Sequence, residues 1–427
     1  MFMLSHKRGR SSTDIVATAC RVAFCACATF AVASHAHAQQ APRTLMLRGD
    51  ALVTAQQRVR NRDAALQPAV DRLRKDADRA LAAPLIAVTD KRTVLPPSKD
   101  AHDYYSLSPY WWPDPAKPDG LPYIRRDGET NPESKRDLDQ PRLASMSDNV
   151  QSLTLAWWFT GESKYAEQAA KQLRTWFIDP ATRMTPQLRY AQLVRGNDKE
   201  RGSGIIDSRG FLDVLDAVIL LEQSSVWTQT DDKAVRSWFA DYLAWLRTSP
   251  NGRTEKDARN NHGSWFAAQT SAYALFSGDT TLARAIVTGV QERIGWQIQS
   301  DGKQPEELLR TRSYHYSNFN IDALSRIAEM ARWVGLELWR YQAPSGGSLV
   351  VAIDRLAPFV DRQQEWPDTQ LDPVKPDLLL DTFRKARLAL GDAKGESTYD
   401  GVIARLPAKV AAADRSLLLY ATPAGRK

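Results

Sequence analysis

Cysteine is almost missing from this chain of 427 residues, and the three present, Cys20, Cys25 and Cys27, all lie in its opening segment. Beyond residue 38 there is none, which excludes a disulfide scaffold, a Cys-ligated zinc and a thiol nucleophile there. Histidine is scarce as well: His6, His35 and His37 fall in the same opening segment, leaving His102, His262 and His315. With no His-x-x-x-His pair and no carboxylate triad at ligand spacing, neither a metal nor another cofactor is expected. No concentrated basic tract occurs, so nucleic acid is not an expected partner. Alternating strand-like runs of real length are also missing, which argues against an all-β domain.

Residues 1–38 carry Lys7, Arg8 and Arg10, then an apolar run from about Ile15 to Ala33 interrupted by Arg21, then Ala36-His37-Ala38. This is the three-part layout of a secretory signal peptide with an A-x-A cleavage site. The apolar stretch after Arg21 falls short of the roughly 20 residues that a membrane span needs. Cleavage after Ala38 is therefore expected, giving a periplasmic or secreted protein with no membrane anchor. Loss of this segment lowers the formal net charge from +7 to +4. That mild excess suits an anionic substrate, and it suits ordinary solubility equally well.

Residues 39–427 exceed what one core usually holds, unless the architecture grows by adding helices. Apolar residues recur at intervals of three and four: Tyr165, Ala169, Leu173, Trp176 and Phe177 in one window, Val235, Phe239, Tyr242 and Leu246 in a second, Leu324, Ile327, Ala331, Val334 and Leu338 in a third. Such spacing is that of the helix. Phe211 to Leu221 is apolar but punctuated by Asp213 and Asp216 at helical spacing, and further windows run from Leu378 to Leu390 and from Tyr399 to Leu417. A weak repeat relates Trp158-Phe159-Thr160-Gly161-Glu162 to Leu275-Phe276-Ser277-Gly278-Asp279. In each, an apolar helix ends at Gly and an acid opens the next, as in a helical hairpin. Repeated hairpins predict an all-α protein, an α-solenoid or its closed relative, the α/α toroid. Break points are expected at 106–132 and at Pro344-Ser345-Gly346-Gly347.

Three segments depart from this helical pattern. Between 104 and 132 the chain reads YYSLSPYWWPDP and then GLPYIRRDG, with six aromatics, many prolines and an Arg pair. A long structured loop is expected here, and such loops are disproportionately functional. Tyr105, Tyr110, Trp111 and Trp112 can stack on sugar rings, and Arg125 and Arg126 can recognise carboxylates in a two-point fashion. Either tryptophan can equally well plug the end of the helical core. The second segment is RNNHGSW, from Arg259 to Trp265, where an Asn-Asn-His cluster precedes an apolar helix and can be plain N-cap chemistry. The third, QPEELLRTRSYHYSNFN from Gln304 to Asn320, packs two Arg, two Tyr and a His between Arg310 and Tyr316. No helix core requires that density.

Together these three stretches resemble the signature segments of the alginate lyase superfamily of polysaccharide lyases, over roughly residues 100–340. The Asn-His pair and the Glu-Leu-x-Arg segment followed by Tyr are the specific parts. The flavour is that of glucuronan and polymannuronate lyases, with no room for the β-sandwich of heparinase-like enzymes. The resemblance implies a single toroidal lyase domain over 39–427, an incomplete barrel of helical hairpins with residues 104–132 over its cleft, and an acidic polysaccharide as partner. It also implies β-elimination at a uronate, in which the C5 proton is removed while donors neutralise the neighbouring carboxylate. Asn261 and His262 take the neutralising role. Tyr316 serves as base and acid, with Arg310 as the cation that lowers its pKa from about 10. Asn260, Arg312, Tyr314 and His315 join the aromatic loop as expected substrate-binding residues. Arg312 rivals Arg310, and Tyr314 and His315 rival Tyr316. Two other classes stay open: a toroidal glycoside hydrolase drawing on Asp103, Asp207, Glu306 or Glu307, and a non-catalytic glycan-binding protein.

Overall fold

The computed structural model describes residues 41–91, 93–197, 199–391 and 396–422. The expected signal segment and all three cysteines lie outside these residues. After α1 (Gly49–Arg60) and α2 (Gln67–Ala82) the chain crosses the aromatic segment to α3 (Asp139–Thr160) and α4 (Ser163–Leu173). It continues through α5 (Phe211–Leu221), α6 (Gln229–Thr248), α7 (Pro250–Lys256), α8 (Asn261–Phe276), α9 (Thr280–Gln297), α10 (Pro305–Leu308) and α11 (Ser313–Ala331). The last described helices are α12 (Leu349–Leu356), α13 (Pro376–Leu390), α14 (Glu396–Ile403), α15 (Ala408–Ala413) and α16 (Ser416–Leu419).

The hairpins close as their local sequence dictates. α3 ends on Gly161 at φ +76°, a left-handed conformation that glycine adopts without steric cost, and Glu162 takes the N-cap position of α4. In the repeat of this pattern Gly278 has φ +90° and the Asp279 carboxylate accepts from Leu282 N, capping α9. Two windows differ from expectation. α4 passes at Arg174 into a π-helical turn ending at Ile178, and the window expected over 399–417 is divided into α14, α15 and α16, where Pro407 cannot continue a helix.

Successive hairpins pack side by side, α3, α5, α8, α11 and α13 forming an inner arc, with α2, α4, α6, α9 and α12 against it on the outside. This is the α/α toroid. The gap between α13 and the α1–α2 pair is bridged by α15 and α16, which touch α2 and, for α16, α1; Arg415 donates to Gln151 and Ser152 of α3 across it. α8 is central: from Asn261 to Phe276 only His262 and Leu275 keep part of their surface. A helix buried on all sides must carry small and apolar residues all round, as Ala267, Ala268, Ala272 and Ala274 show. Between α5, α6 and α8 lies an aromatic cluster in which Phe177 meets Trp238 at 4.8 Å and 74°, and Phe211 meets Phe239 at 5.8 Å and 89°. Edge-to-face pairs of this kind add about 0.5–1.5 kcal/mol each beyond their buried area.

Sheet is minimal. Among the described residues β1 (Tyr105–Leu107) pairs in parallel with β4 (Tyr190–Leu193), and β2 (Trp111–Trp112) pairs antiparallel with β3 (Ile124–Arg125), setting Trp111 opposite Arg125. Both ladders brace the segment expected as a loop.

The first described segment is held through its carbonyls by Arg332 and Trp333 and through its N–H groups by one buried carboxylate. Asp216 on α5 accepts from the backbone N of Leu45, Met46 and Leu47 at 2.5, 3.1 and 2.9 Å. Asp216→Ala would leave three buried N–H groups unpaired, each costing about 1–3 kcal/mol. We expect urea unfolding of this variant to show a loss of roughly 3 kcal/mol or more; an unchanged midpoint would refute the anchoring role.

Candidate active site

A cleft of about 1860 Å³ opens across the inner arc, walled by the 107–135 segment, residues 200–213, α7 and the first turns of α8 and α11. Its chemistry begins where α7 hands over to α8. Asn260 caps α8, its Oδ1 accepting from His262 N at 3.1 Å. Gly263 is required next, because a Cβ there would come within 2.1 Å of Ala258 O and 2.5 Å of Arg293 Nη1. Trp265 then packs on Phe319 of α11, ring centroids 4.9 Å apart. Held this way, His262 lines the cleft while its Nδ1 lies 2.6 Å from Glu255 Oε1 on α7.

Asn261, at the wall of the same cleft, is committed to a neighbour. It is fully buried and donates to Glu307, from N to Oε1 at 2.5 Å and from Nδ2 to Oε2 at 2.7 Å, while its own Oδ1 is buried without a hydrogen-bond partner among the described residues. Burial pushes the Glu307 carboxyl up to about 7, against the pull of the two Asn261 donors and of Arg310.

From α10 the chain reaches Arg310, whose Nη2 and Nε grip Asp127 at 2.7 and 3.1 Å. Burial works to raise the Asp127 carboxyl, but hydrogen bonds from Arg310 and Thr311 N outweigh it and hold the group well below the usual carboxylate range. The Arg310 guanidinium also lies 3.7 Å over the centre of the Tyr316 ring. The Tyr316 hydroxyl is 2.8 Å from that of Tyr110. Burial and Tyr110 push the Tyr316 phenol up, and Arg310 only partly opposes them. The lowered phenol pKa expected from a neighbouring cation is therefore not found: the cation is present, but desolvation wins. His315 stacks on Phe319 at 5.9 Å, and burial with nearby arginines lowers it to about 4, so it is neutral at neutral pH.

Of the residues singled out in the sequence, Tyr110, Trp111, Arg125, Asn260, Asn261, His262, Arg310, His315 and Tyr316 line this one cleft. Five others do not. Tyr314 is completely buried, donating to Leu356 O and packed on Trp366, so it cannot meet a substrate. Arg312 turns to Asp372. Trp112 alternates away from Trp111, donates to Glu129 O and carries Arg126 over its ring at 5.3 Å. Tyr105 packs beside Leu107, Leu138 and Leu193. Three of the four acids considered for hydrolysis are committed, Asp207 to Tyr104, Ser106 and Gln192, Asp103 to Gln187 and Glu307 to Asn261, while Glu306 lines the cleft.

The cleft also gathers residues that no sequence pattern pointed to. Glu255 is one. Arg201, 5.1 Å over Trp111, and Arg209, 5.4 Å over Phe319, form no ion pair among the described residues. Asp127, inside the aromatic segment, had only its proximity to the Arg pair to mark it.

The model of the alginate lyase family matches residues 87–366. Among solved structures, an alginate lyase from Bacteroides ovatus is 36% identical and superposes with a TM-score of 0.84, over 89% of this chain and 99% of that one. A histidine-to-alanine variant of alginate lyase A1-III complexed with tetrasaccharide is 17% identical, with a TM-score of 0.56 over 92% of this chain and 100% of that one. Alginate lyase A1-III from Sphingomonas species A1 gives 16%, 0.51, 83% and 97% in the same order. These last two share the fold. Comparison with curated proteins gives no match.

Glu307 makes the stability of the site depend on pH. Its carboxyl is raised in the folded state, to about 7 from an ordinary 4.5, so the folded protein binds this proton more tightly than the unfolded chain. The contribution is full below about pH 4.5 and is lost as pH rises through about 7. Glu307→Gln has no such proton. Between about pH 5 and about pH 8 its unfolding free energy should fall less steeply than that of the wild type, a difference on the order of 2 kcal/mol. Parallel slopes in urea titrations would count against this.

Proposed function

The chain belongs to the alginate lyase family of polysaccharide lyases, and on that premise we propose that it cleaves a 1,4-linked polyuronate, alginate or polymannuronate or glucuronan, by β-elimination. The observation that carries this reading is that Tyr316 under Arg310 and His262 backed by Glu255 face one cleft from adjacent helices. Elimination needs a proton taken from C5 and one given to the leaving O4. A single tyrosine can do both when the two lie on the same face of the sugar, as in mannuronate and glucuronate units. For guluronate, with C5 inverted, His262 becomes the candidate base.

His262 Nε2 supplies a donor to the substrate carboxylate, where negative charge builds up as C5 loses its proton. Asn261, which lines the same cleft, joins it through its remaining Nδ2 hydrogen. The guanidinium groups of Arg201 and Arg209, which form no ion pair among the described residues and each lie over an aromatic ring, suit the further carboxylates of a polyanion. Because burial keeps Tyr316 in its phenol form, the phenolate is a minor but strongly basic species, and Arg310 favours it. We further propose that residues 1–38 direct export and that one lyase domain follows. Among the described residues no helix is long and apolar enough to cross a membrane.

The test is a panel of polyuronates followed by the ultraviolet absorbance of the unsaturated product. Wild type should produce it on at least one. Tyr316→Phe should lose a hundredfold or more in kcat while still binding polymer, in the usual range of acid-base catalysis of about 10²–10⁴. His262→Ala should lose on the order of a hundredfold. Arg310→Ala removes the one group that lowers the Tyr316 phenol, so the rising limb of its activity should move to higher pH. New reducing ends without absorbance would mean hydrolysis, and an active Tyr316→Phe with an inactive His315→Ala would reassign the base.

A further inference from the structure

Most of the buried carboxylates are held by two or more donors, and Glu255 is not. Asp139 is paired with Lys91 and Arg142, Glu329 with Arg48 and Arg332, Asp216 takes three backbone N–H groups and Glu307 two donors from Asn261. Glu255 is only 2% exposed, and among the described residues the one side chain hydrogen-bonded to its carboxylate is His262, with Nδ1 2.6 Å from Oε1, while the Arg201 guanidinium acts on it through charge alone. Taking a carboxylate out of water for one imidazole is unfavourable for stability alone. An imidazole that presents its other nitrogen to a cleft makes sense of it.

The backbone holds Glu255 in place. α7 is capped by Ser249, which accepts from Gly252 N, and starts with Pro250 in its first turn. Two glycines let it seat: a Cβ on Gly252 would come within 1.7 Å of Leu246 O, and one on Gly202 within 2.5 Å of Asn251 O and 3.0 Å of Glu255 N. α7 is thus packed closely on its neighbours, and its last turn delivers Glu255 to the first turn of α8.

We propose that Glu255 is a positioning residue for the elimination. Its carboxylate accepts the Nδ1–H of His262, which fixes the tautomer and the ring plane and leaves Nε2 facing the cleft. When Nε2–H donates to the substrate carboxylate the ring carries a proton on both nitrogens, and Glu255 balances that charge. The proposal rests on the role given to His262 above.

Full-length Glu255→Ala, Glu255→Gln and His262→Ala are compared with wild type for kcat, KM, thermal midpoint and the imidazole nitrogen NMR signals of His262, assigned by their loss in His262→Ala. Glu255→Ala should lose about ten- to a hundredfold in kcat with KM within about threefold, the usual scale for an orienting partner. Its His262 should lose the preference for a proton on Nδ1. Glu255→Gln keeps a carbonyl acceptor, so it should retain the Nδ1 proton and fall less in kcat, and it covers the case in which the alanine variant does not fold. Unchanged kcat in both variants, a change confined to KM, or an unaltered Nδ1 signal in a folded Glu255→Ala would overturn the proposal. An inactive His262→Ala beside a fully active Glu255→Ala sinks this inference alone; an active His262→Ala sinks the reading of His262 itself.

Discussion

The carboxylate of Glu307 is the joint between the two helices that carry the site. By accepting both the backbone N and the Nδ2 of Asn261 it ties the first turn of α8 to α10. One residue beyond Asn261 stands His262; three beyond Glu307 stands Arg310. The two groups are therefore fixed relative to each other by a contact that neither makes. Arg310 then grips Asp127, which draws the aromatic segment over the cleft, and covers the ring of Tyr316. A buried carboxylate bound in this way is unforgiving, since removal of either donor leaves charge unpaired in a medium that solvates it poorly.

Capping and catalysis draw on the same residue types here, because a helix start needs acceptors and donors that an active site also needs. Asn260 is occupied as the cap of α8, and its neighbour Asn261 is occupied as the partner of Glu307. Of the three, His262 is left with a whole ring edge toward the cleft. The consequence is a site whose polar groups are mostly committed to each other before a substrate arrives, the condition for donors that need little reorganisation during reaction. Tyr316 shows the opposing tendency: the burial that organises it also raises its phenol, and the cation above the ring restores only part of the loss.

Two pairs of neighbours show how far local pattern reaches. On an α-helix residues two apart point about 200° apart, so Tyr314 and Tyr316 could not both face the cleft once α11 had formed. In an extended strand adjacent residues alternate, so Trp111 and Trp112 could not both do so either. Periodicity states that one of each pair must turn away, without saying which. That choice fell to packing: Trp366 and Leu356 receive Tyr314, and Glu129 with Arg126 receives Trp112. For Arg312 the deciding neighbour, Asp372, lies on a distant loop.

Legible in the sequence were the helical class, the hairpin turns at Gly161 and Gly278, a helix start at the Asn-Asn-His cluster and the three segments from which the cleft draws its aromatic and basic groups. These follow from interactions within a few residues, where spacing and side-chain chemistry leave little freedom. Tertiary structure alone decided which faces turn inward, that Glu307 belongs to Asn261, that Asp127 belongs to Arg310 and that Glu255 belongs to His262. The first two pairings join residues 46 and 183 positions apart. Even the third, across seven positions, needs α7 wedged by two glycines against its neighbours before the carboxylate can meet the ring. Such contacts depend on where whole helices come to rest, and that is set by the summed burial of their apolar faces.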